Sequence, residues 1–297
     1  MKHTRHLDHK PFRVRPGRTV KLKDYDPGYT GPFQDKTAAK QALIEDVTAL
    51  ANAQRLLWAS AQNSVIIIFQ ALDAAGKDGT IRHVMSGVNP QGVSVHSFKA
   101  PNEEEQRHYF LWRPMKALPG RGRIAIFNRS YYEEVLVVRV HPEFLEQQYI
   151  RPELRQRGYR DLWPERFRAI NQFEKTLADN GACIIKFFLH VSKKEQKKRF
   201  LERLTNPEKH WKFSAADIRE RAHWKAYQRA YEDMLGATST RWAPWYVIPA
   251  DHKWFTRAAV ADIIAARIEK LKLKFPRPTP EQLEGLAAAR EQLAAEK

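Results

Sequence analysis

Val65-Ile66-Ile67-Ile68-Phe69-Gln70-Ala71-Leu72-Asp73-Ala74-Ala75-Gly76-Lys77-Asp78-Gly79-Thr80 runs from an apolar, β-branched segment through small residues to a Gly-Lys pair. Val65 to Phe69 has the length and composition of a buried strand, and Ile81-Arg82-His83-Val84-Met85 reads as the start of a helix. Strand, small-residue turn and helix is the layout of a phosphate-binding loop. Small residues let backbone N–H groups approach phosphate oxygens, the helix N-terminus adds partial positive charge, and Lys77 supplies a full one. Ala74, Ala75, Gly76, Asp78, Gly79 and Thr80 are therefore expected around a phosphate, and the expected chemistry is phosphoryl transfer.

The loop departs from the usual pattern at two positions. Ala71 stands where that pattern has glycine, and Asp78 stands where a serine or threonine holds Mg²⁺. If Thr80 is not a ligand, another oxygen is needed, and Asp73 inside the loop is the obvious candidate. The competing reading is an ordinary strand-to-helix turn with Lys77 solvated.

Charge is the second signal. The 297 residues include 51 Lys and Arg against 34 acids, a formal charge of +17. Such an excess implies a polyanionic partner: nucleic acid, anionic membrane or a polyphosphorylated substrate. Eight Lys/Arg and one acid lie between Met1 and Lys23, and twelve against five lie between Ser192 and Arg229. The first run is expected as an extended surface arm (residues 1–33), each charge run having a solvated face as its plain alternative. The second falls where phosphotransferases often carry a mobile lid, here about 192–235. No run approaches the ~18 consecutive apolar residues of a membrane span, and no apolar segment follows the basic N-terminus as a secretory signal requires. The single cysteine, Cys183, sits in an apolar run and is expected as a small buried hydrophobe in a reducing cytoplasm.

Outward from the loop, Gln34 to Ser60 reads as an amphipathic helix, and Val93 to Phe98 as a second strand. Asn102 to Met115 reads as one helix, Arg123 to Phe127 as the third strand, and Pro164 to Asn180 as a helix before the fourth strand, Ala182 to Leu189. Ser192–Leu204 and Ser214–Leu235 are expected helices, Tyr246–Pro249 a fifth strand, Phe255–Leu273 a helix, and the tail from Pro276 one more. Alternating strands and helices predict a parallel sheet of about five strands covered on both faces. Ligands in such sheets bind beyond the carboxyl ends of the strands, which gathers Asp73, Lys77, Asn128, Arg129 and Asp251. Residues 34–275 are expected as the catalytic domain and 276–297 as a C-terminal helix.

Phosphoryl transfer needs cations around the moving group, a carboxylate-held Mg²⁺ and exclusion of water. Lys77 supplies one cation, Arg82 lies one helical turn further, and Arg129 at the end of the third strand suits a bidentate phosphate contact. Arg199 and Arg203 are spaced i,i+4 on one lid face, with Lys209 and Lys212 beside Trp211. Pairing of Arg199 and Arg203 with Glu195 and Glu202 is the alternative. His83 and His96 lack an obvious activating partner in sequence and His141 precedes a proline that ends a segment, so direct in-line transfer without a phosphohistidine is expected.

The stretches Asp73-Ala74-Ala75-Gly76-Lys77-Asp78-Gly79-Thr80 through Gly92, Phe127-Asn128-Arg129-Ser130-Tyr131-Tyr132-Glu133-Glu134-Val135-Leu136, Val138-Arg139-Val140-His141-Pro142, Trp211-Lys212-Phe213 and Ile248-Pro249-Ala250-Asp251-His252-Lys253-Trp254 resemble the polyphosphate kinase 2 family. The resemblance spans roughly Pro32 to Leu273. It implies a P-loop kinase-like three-layer α/β/α fold with a helical lid, and reversible transfer between inorganic polyphosphate and nucleotides. Asp73 would organise Mg²⁺, Lys77 and Arg129 would hold the transferred group, and Arg139 and the lid basics would steady the polymer. Many members carry Asp where this chain has Asn128. The run Asn128 to Glu133 resembles the subgroup accepting both AMP and ADP, with guanine nucleotides left open, and assigns Asn128 and Glu133 to the acceptor. A homo-oligomer, dimer or tetramer, is implied as well.

Two other readings share parts of the pattern. An ATP-dependent nucleoside monophosphate kinase would have the same fold and loop. A basic nucleic-acid-binding module would use Trp211 and Trp224 as stacking platforms, but no nucleic-acid motif is present. Neither nucleic acid nor membrane is expected as a partner.

Overall fold

The computed structural model describes residues 5–33 and 35–296. In chain order the elements are α1 (Lys36–Ser60), β1 (Ser64–Gln70), α2 (Lys77–Val84), β2 (Val93–Ser97), α3 (Glu103–Gln106), α4 (Trp112–Lys116), β3 (Ile124–Asn128), α5 (Val137–Val140), α6 (Pro152–Gln156), α7 (Leu162–Asp179), β4 (Ala182–His190), α8 (Lys193–Thr205), α9 (Ala215–Ala222), α10 (Trp224–Thr238), β5 (Trp245–Pro249), α11 (Lys253–Glu269) and α12 (Pro280–Ala295). The strands form one parallel sheet in the order β2-β3-β1-β4-β5. From β1 the chain crosses to the edge strand β2, returns to β3 beside β1, and then crosses to β4 and β5 on the other side. A crevice opens at the carboxyl ends where the direction changes.

Strand side chains alternate between faces, and the core divides accordingly. Val65, Ile67 and Phe69 pack with Leu50 and Leu57 of α1 and with Phe255, Val260 and Ile264 of α11. Ile66 and Ile68 pack with Ile170 of α7 and with Tyr231 and Met234 of α10. The expected three layers are present. Behind the end of β3, a buried ion pair braces the second face. Lys186 Nζ donates to Glu174 Oε2 (2.6 Å), the Tyr132 hydroxyl (2.8 Å) and the Thr238 carbonyl (2.8 Å), while Glu174 Oε1 accepts from the Tyr131 and Tyr132 hydroxyls at 2.8 Å each. All three ammonium protons are used, as a buried charge requires.

Three elements differ from expectation. The helix expected from Asn102 to Met115 is two, α3 and α4, because the Pro114 ring cannot follow a continuous helix and is accommodated only in the first turn of α4. Ser214 to Leu235 breaks at His223. α10 buries Tyr227, Tyr231 and Met234 against the sheet, whereas α9 buries nothing, so the two halves follow different surfaces. The basic N-terminal segment is extended in path but is part of the fold. Leu7, Phe12, Val14, Val20 and Leu22 are buried, and Val14 N donates to Trp245 O (3.0 Å) as Val247 N donates to Phe12 O (2.8 Å), covering the edge of β5. Its charged side chains at Lys10, Arg15, Arg18, Lys21 and Lys23 stay exposed. Gln34, the expected start of the first helix, lies outside the described residues.

His190 ends β4 beneath this segment, with a backbone hydrogen bond to Leu22. Burial pushes its imidazole down to about 4, against the opposing pull of Asp251 and Asp26. An unfolded histidine titrates near ~6.5. Between those values the unfolded chain takes up a proton that the folded chain does not, so stability falls as pH drops through that window, by about 3 kcal/mol at most for this group. Denaturant unfolding compared at about pH 7 and about pH 4.5 is expected to show a smaller acid loss in His190→Gln than in the unmodified protein. Equal losses in both would refute the assignment.

Candidate active site

The phosphate loop occupies the turn between β1 and α2. Ala74 (φ 61°) and Gly76 (φ 107°) take left-handed backbone, which glycine adopts freely and alanine only at a cost of order 1 kcal/mol. α2 begins at Lys77, four residues earlier than expected, so Asp78, Gly79 and Thr80 form its first turn and the loop lies at the positive end of the helix. Thr80 is buried, its N–H donating to Gly76 O (3.0 Å). Lys77 Nζ donates to Ala71 O (3.0 Å). Burial pushes its ammonium below the usual lysine range, and nearby Arg129 pushes the same way, while Asp73, Glu133 and Asp78 oppose the shift. An incoming phosphate restores the stabilisation that burial removes.

Arg129 follows β3 with φ 63°, a left-handed arginine fixed by its N–H donating to Phe69 O (3.0 Å). Its Nη2 lies 2.9 Å from Asp73 Oδ1. Asn128 Nδ2 donates to Asp78 Oδ1 (2.7 Å), tying the end of β3 to α2. Glu133 stands on the one-turn 3₁₀ helix Tyr131–Val135. Burial raises its carboxyl above the usual range, with Arg129 and Lys77 opposing.

Three cavities meet at Arg129. The first, about 550 Å³, is lined by the loop residues Asp73 to Thr80, by Arg82, Asn128 and Arg129, and by Arg199, Arg203, Lys209 and Lys212 from the lid side. Ten lysines and arginines line it against three acids, a far stronger basic bias than the chain as a whole. The second, about 240 Å³, has the apolar walls Phe98, Phe110, Pro114, Val137, Val138 and Phe144, with Arg129, Glu133 and glutamines 106, 147 and 148. A third, about 140 Å³, lies under the lid helices between Asp73, Arg129 and Glu133 on one side and Asp217, Glu220, Trp224 and Tyr227 on the other. Among the described residues, no histidine lines any of the three.

The structure thus brings most of the residues singled out in the sequence to one place, but in different states. Arg199 is buried, and all five of its N–H donors are engaged: Nε to Glu195, Nη1 to Ala74 O and Ala75 O, Nη2 to Ala250 O and Asp251 O. Arg203 bonds Asp217 (3.2 Å) and Lys212 O (3.3 Å), and Lys209 pairs with Glu202. Lys212 packs over the exposed Trp211 ring. Arg139 is not among the residues lining the basic cavity; it pairs with Asp233 (2.5 Å) and lies over the Trp163 ring. Glu133 faces the second and third cavities rather than the first. Lys99, Lys253 and Arg257 line the basic cavity, and the sequence assigned a role to none of them. Lys253 starts α11 directly beyond the end of β5, so the rule that ligands gather at strand carboxyl ends points to it. Burial lowers the Arg257 guanidinium, and Arg82 beside it adds to the effect.

A profile described as Polyphosphate kinase 2 (PPK2) matches residues 33–276. The chain belongs to the polyphosphate kinase 2 family. It is 49% identical over 285 residues to a Rhodopseudomonas palustris protein named ADP-polyphosphate phosphotransferase, covering 96% of this chain and 98% of that one. It is 46% identical over 270 residues to a Meiothermus ruber protein named AMP/ADP-polyphosphate phosphotransferase, covering 91% and 96%. The crystal structure of polyphosphate kinase 2 from Arthrobacter aurescens TC1 superposes with a TM-score of 0.84 at 38% identity, covering 95% of this chain and 96% of that one.

For a polyphosphate kinase 2 fold, the arrangement at Arg129 concentrates fixed positive charge where a phosphoryl group would pass between cavities. Preorganised charge of this kind is the main source of rate in phosphoryl transfer. Asp73→Asn and Lys77→Ala are each expected to lower turnover by more than about tenfold with the fold intact by circular dichroism. Retention of more than about a tenth of the activity by either variant would remove that residue from the reacting centre.

Proposed function

We propose that the protein moves a phosphoryl group from inorganic polyphosphate to AMP and to ADP, forming ADP and ATP, reversibly and by direct in-line transfer. The observation that carries this reading is the meeting, at Arg129, of a basic cavity with an apolar one. A polymer with about one charge per phosphate needs cations spread along its path rather than one anion pocket, and the ten basic residues of the first cavity supply them. The apolar walls of the second suit a nucleobase, with glutamine amides to bond its edge. The relatives' names favour the same donor and include both acceptors.

In this reading the free amides of Ala74 and Gly76 and the Lys77 ammonium hold the terminal phosphate of the polymer. Arg129 lies between donor and acceptor and neutralises the charge that spreads over the passing group. The acceptor's terminal phosphate oxygen forms the new P–O bond as the bridging P–O bond of the polymer breaks. The apolar walls keep water from competing.

Mg²⁺ is part of the proposal. Among the described residues no cluster of three or more metal-ligating side chains occurs. That fits this ion, which takes one or two carboxylates and completes its shell with water and substrate phosphates. Asp73, which lines the basic cavity, would hold it, and the ion would neutralise phosphate charge. The proposal also includes a homo-oligomer working in the cytoplasm. The free, buried Cys183 suits a reducing compartment; no helix among the described residues is long and apolar enough to cross a membrane.

Purified protein with long-chain polyphosphate, Mg²⁺ and AMP or ADP, without other donors, is expected to form ATP from both. Product from ADP alone would discard AMP as an acceptor, and turnover with ATP but not polyphosphate would favour a nucleoside monophosphate kinase. AMP brings one phosphate fewer to the cations at Arg129, so its placement leans more on Glu133. Glu133→Ala is therefore expected to reduce AMP use more than ADP use, and equal loss would assign Glu133 to the shared centre.

A further inference from the structure

We propose that Gln196 and Arg199, one turn apart on α8, are positioning residues that hold the phosphate loop in its binding shape from behind. Three consecutive loop carbonyls are taken by these two side chains. Gln196 Nε2 donates to Asp73 O (3.0 Å), and Arg199 Nη1 donates to Ala74 O (3.0 Å) and Ala75 O (2.9 Å). In a planar trans peptide the carbonyl and the next N–H point in opposite directions. Drawing the carbonyls of residues 73, 74 and 75 toward α8 therefore turns the N–H groups of Ala74, Ala75 and Gly76 away from it. The Ala75 N–H closes a turn to Leu72 O (3.3 Å), which leaves those of Ala74 and Gly76 for the phosphate.

Arg199 has no donor left for a phosphate. A guanidinium carries five N–H groups, and here Glu195 and four carbonyls, two in the loop and two at Ala250 and Asp251, take all five. At 4% exposure it is a crosspiece among α8, the loop and the start of α11, not a hand reaching for the polymer. Gln196, at 3% exposure, is oriented in turn by Arg221 of α9, whose Nη1 donates to Gln196 Oε1 (2.7 Å) and to Lys193 O (2.9 Å). Since Oε1 accepts from arginine, the amide nitrogen is the atom that faces Asp73. The chain Arg221–Gln196–Asp73 ties α9, which covers the small cavity, to the phosphate loop. The left-handed backbone of Ala74 is a conformation that persists only when its surroundings over-determine it, and this clamp does so.

The proposal rests on the phosphoryl-transfer reading for its kinetic consequence but not for its structural one. Two variants test it: Gln196→Met, similar in length without the amide, and Arg199→Lys, which keeps the charge and loses the fork. Amide hydrogen exchange at Ala75, whose N–H is bonded to Leu72 O, is expected to speed up in both in the ligand-free protein. Turnover is expected to fall about tenfold in Gln196→Met, the rate equivalent of one lost hydrogen bond, equally with AMP and ADP. The salt dependence of polyphosphate binding is expected to stay as it was, since no cation is lost. Unchanged exchange in the loop, or unchanged turnover in Gln196→Met, would overturn the proposal. A salt slope of polyphosphate binding reduced by about one in a further variant that removes the charge, Arg199→Gln, would instead make that residue a phosphate ligand. Because exchange is read without substrate, the clamp stands or falls whether or not polyphosphate proves to be the donor.

Discussion

Parallel pairing of β1 with β3 sets Phe69 beside Asn128, and from that register the contact of Asp73 with Arg129 follows. The Arg129 N–H reaches back to Phe69 O, which turns the arginine into left-handed backbone and aims its side chain across the crevice at the loop. A slip of one residue would carry Arg129 to the other face of the sheet. The register is protected by the apolar side chains of both strands, which fill the core on both faces. Behind Arg129, Tyr131 and Tyr132 are moored to the buried Glu174–Lys186 pair, so the turn bearing Glu133 is held from inside the protein. The geometry of the reacting centre is thus set by packing and pairing several ångströms away from any phosphate.

Much of this was legible in the sequence, because the features concerned are local. The β-branched run of β1 and the small residues after it specify strand and loop whatever surrounds them, and strand alternation with helices carries the three-layer arrangement. What escaped depends on partners distant along the chain. Arg199 reads as one more lid cation until its five carbonyl and carboxylate partners are known, and four of those lie more than fifty residues from it. Gln196 carries no charge and no motif marks it. Arg139 shares a segment with the site but faces Asp233. The break at Pro114 was readable, since the proline rule is local; the break at His223 was not, since it reflects two halves of one amphipathic pattern seeking different surfaces.

The aromatic residues of the lid bear on the alternative of a nucleic-acid module. Base stacking needs exposed rings arrayed along a basic groove. Trp224 instead faces the small cavity under α9 with Tyr227 and Tyr231. Trp211 is exposed but carries Lys212 against its ring. Ten of the lysines and arginines line a concave cavity at the strand ends, where low-dielectric walls focus their charge on whatever polyanion enters.

The covered edge of β5 has a consequence for how the chain is assembled. Residues 12–14 bond to residues 245–247, and Leu7 N to Asp262 across 255 positions. A segment made early in synthesis therefore has no partner until nearly the whole sheet has emerged from the ribosome. Until then Phe12, Val14 and Leu22 are apolar side chains on a solvated strand, the kind of surface that nascent-chain chaperones hold. The last event of folding on this account is the closing of the first segment over the last strand, which completes the sheet edge and buries His190 in the same motion.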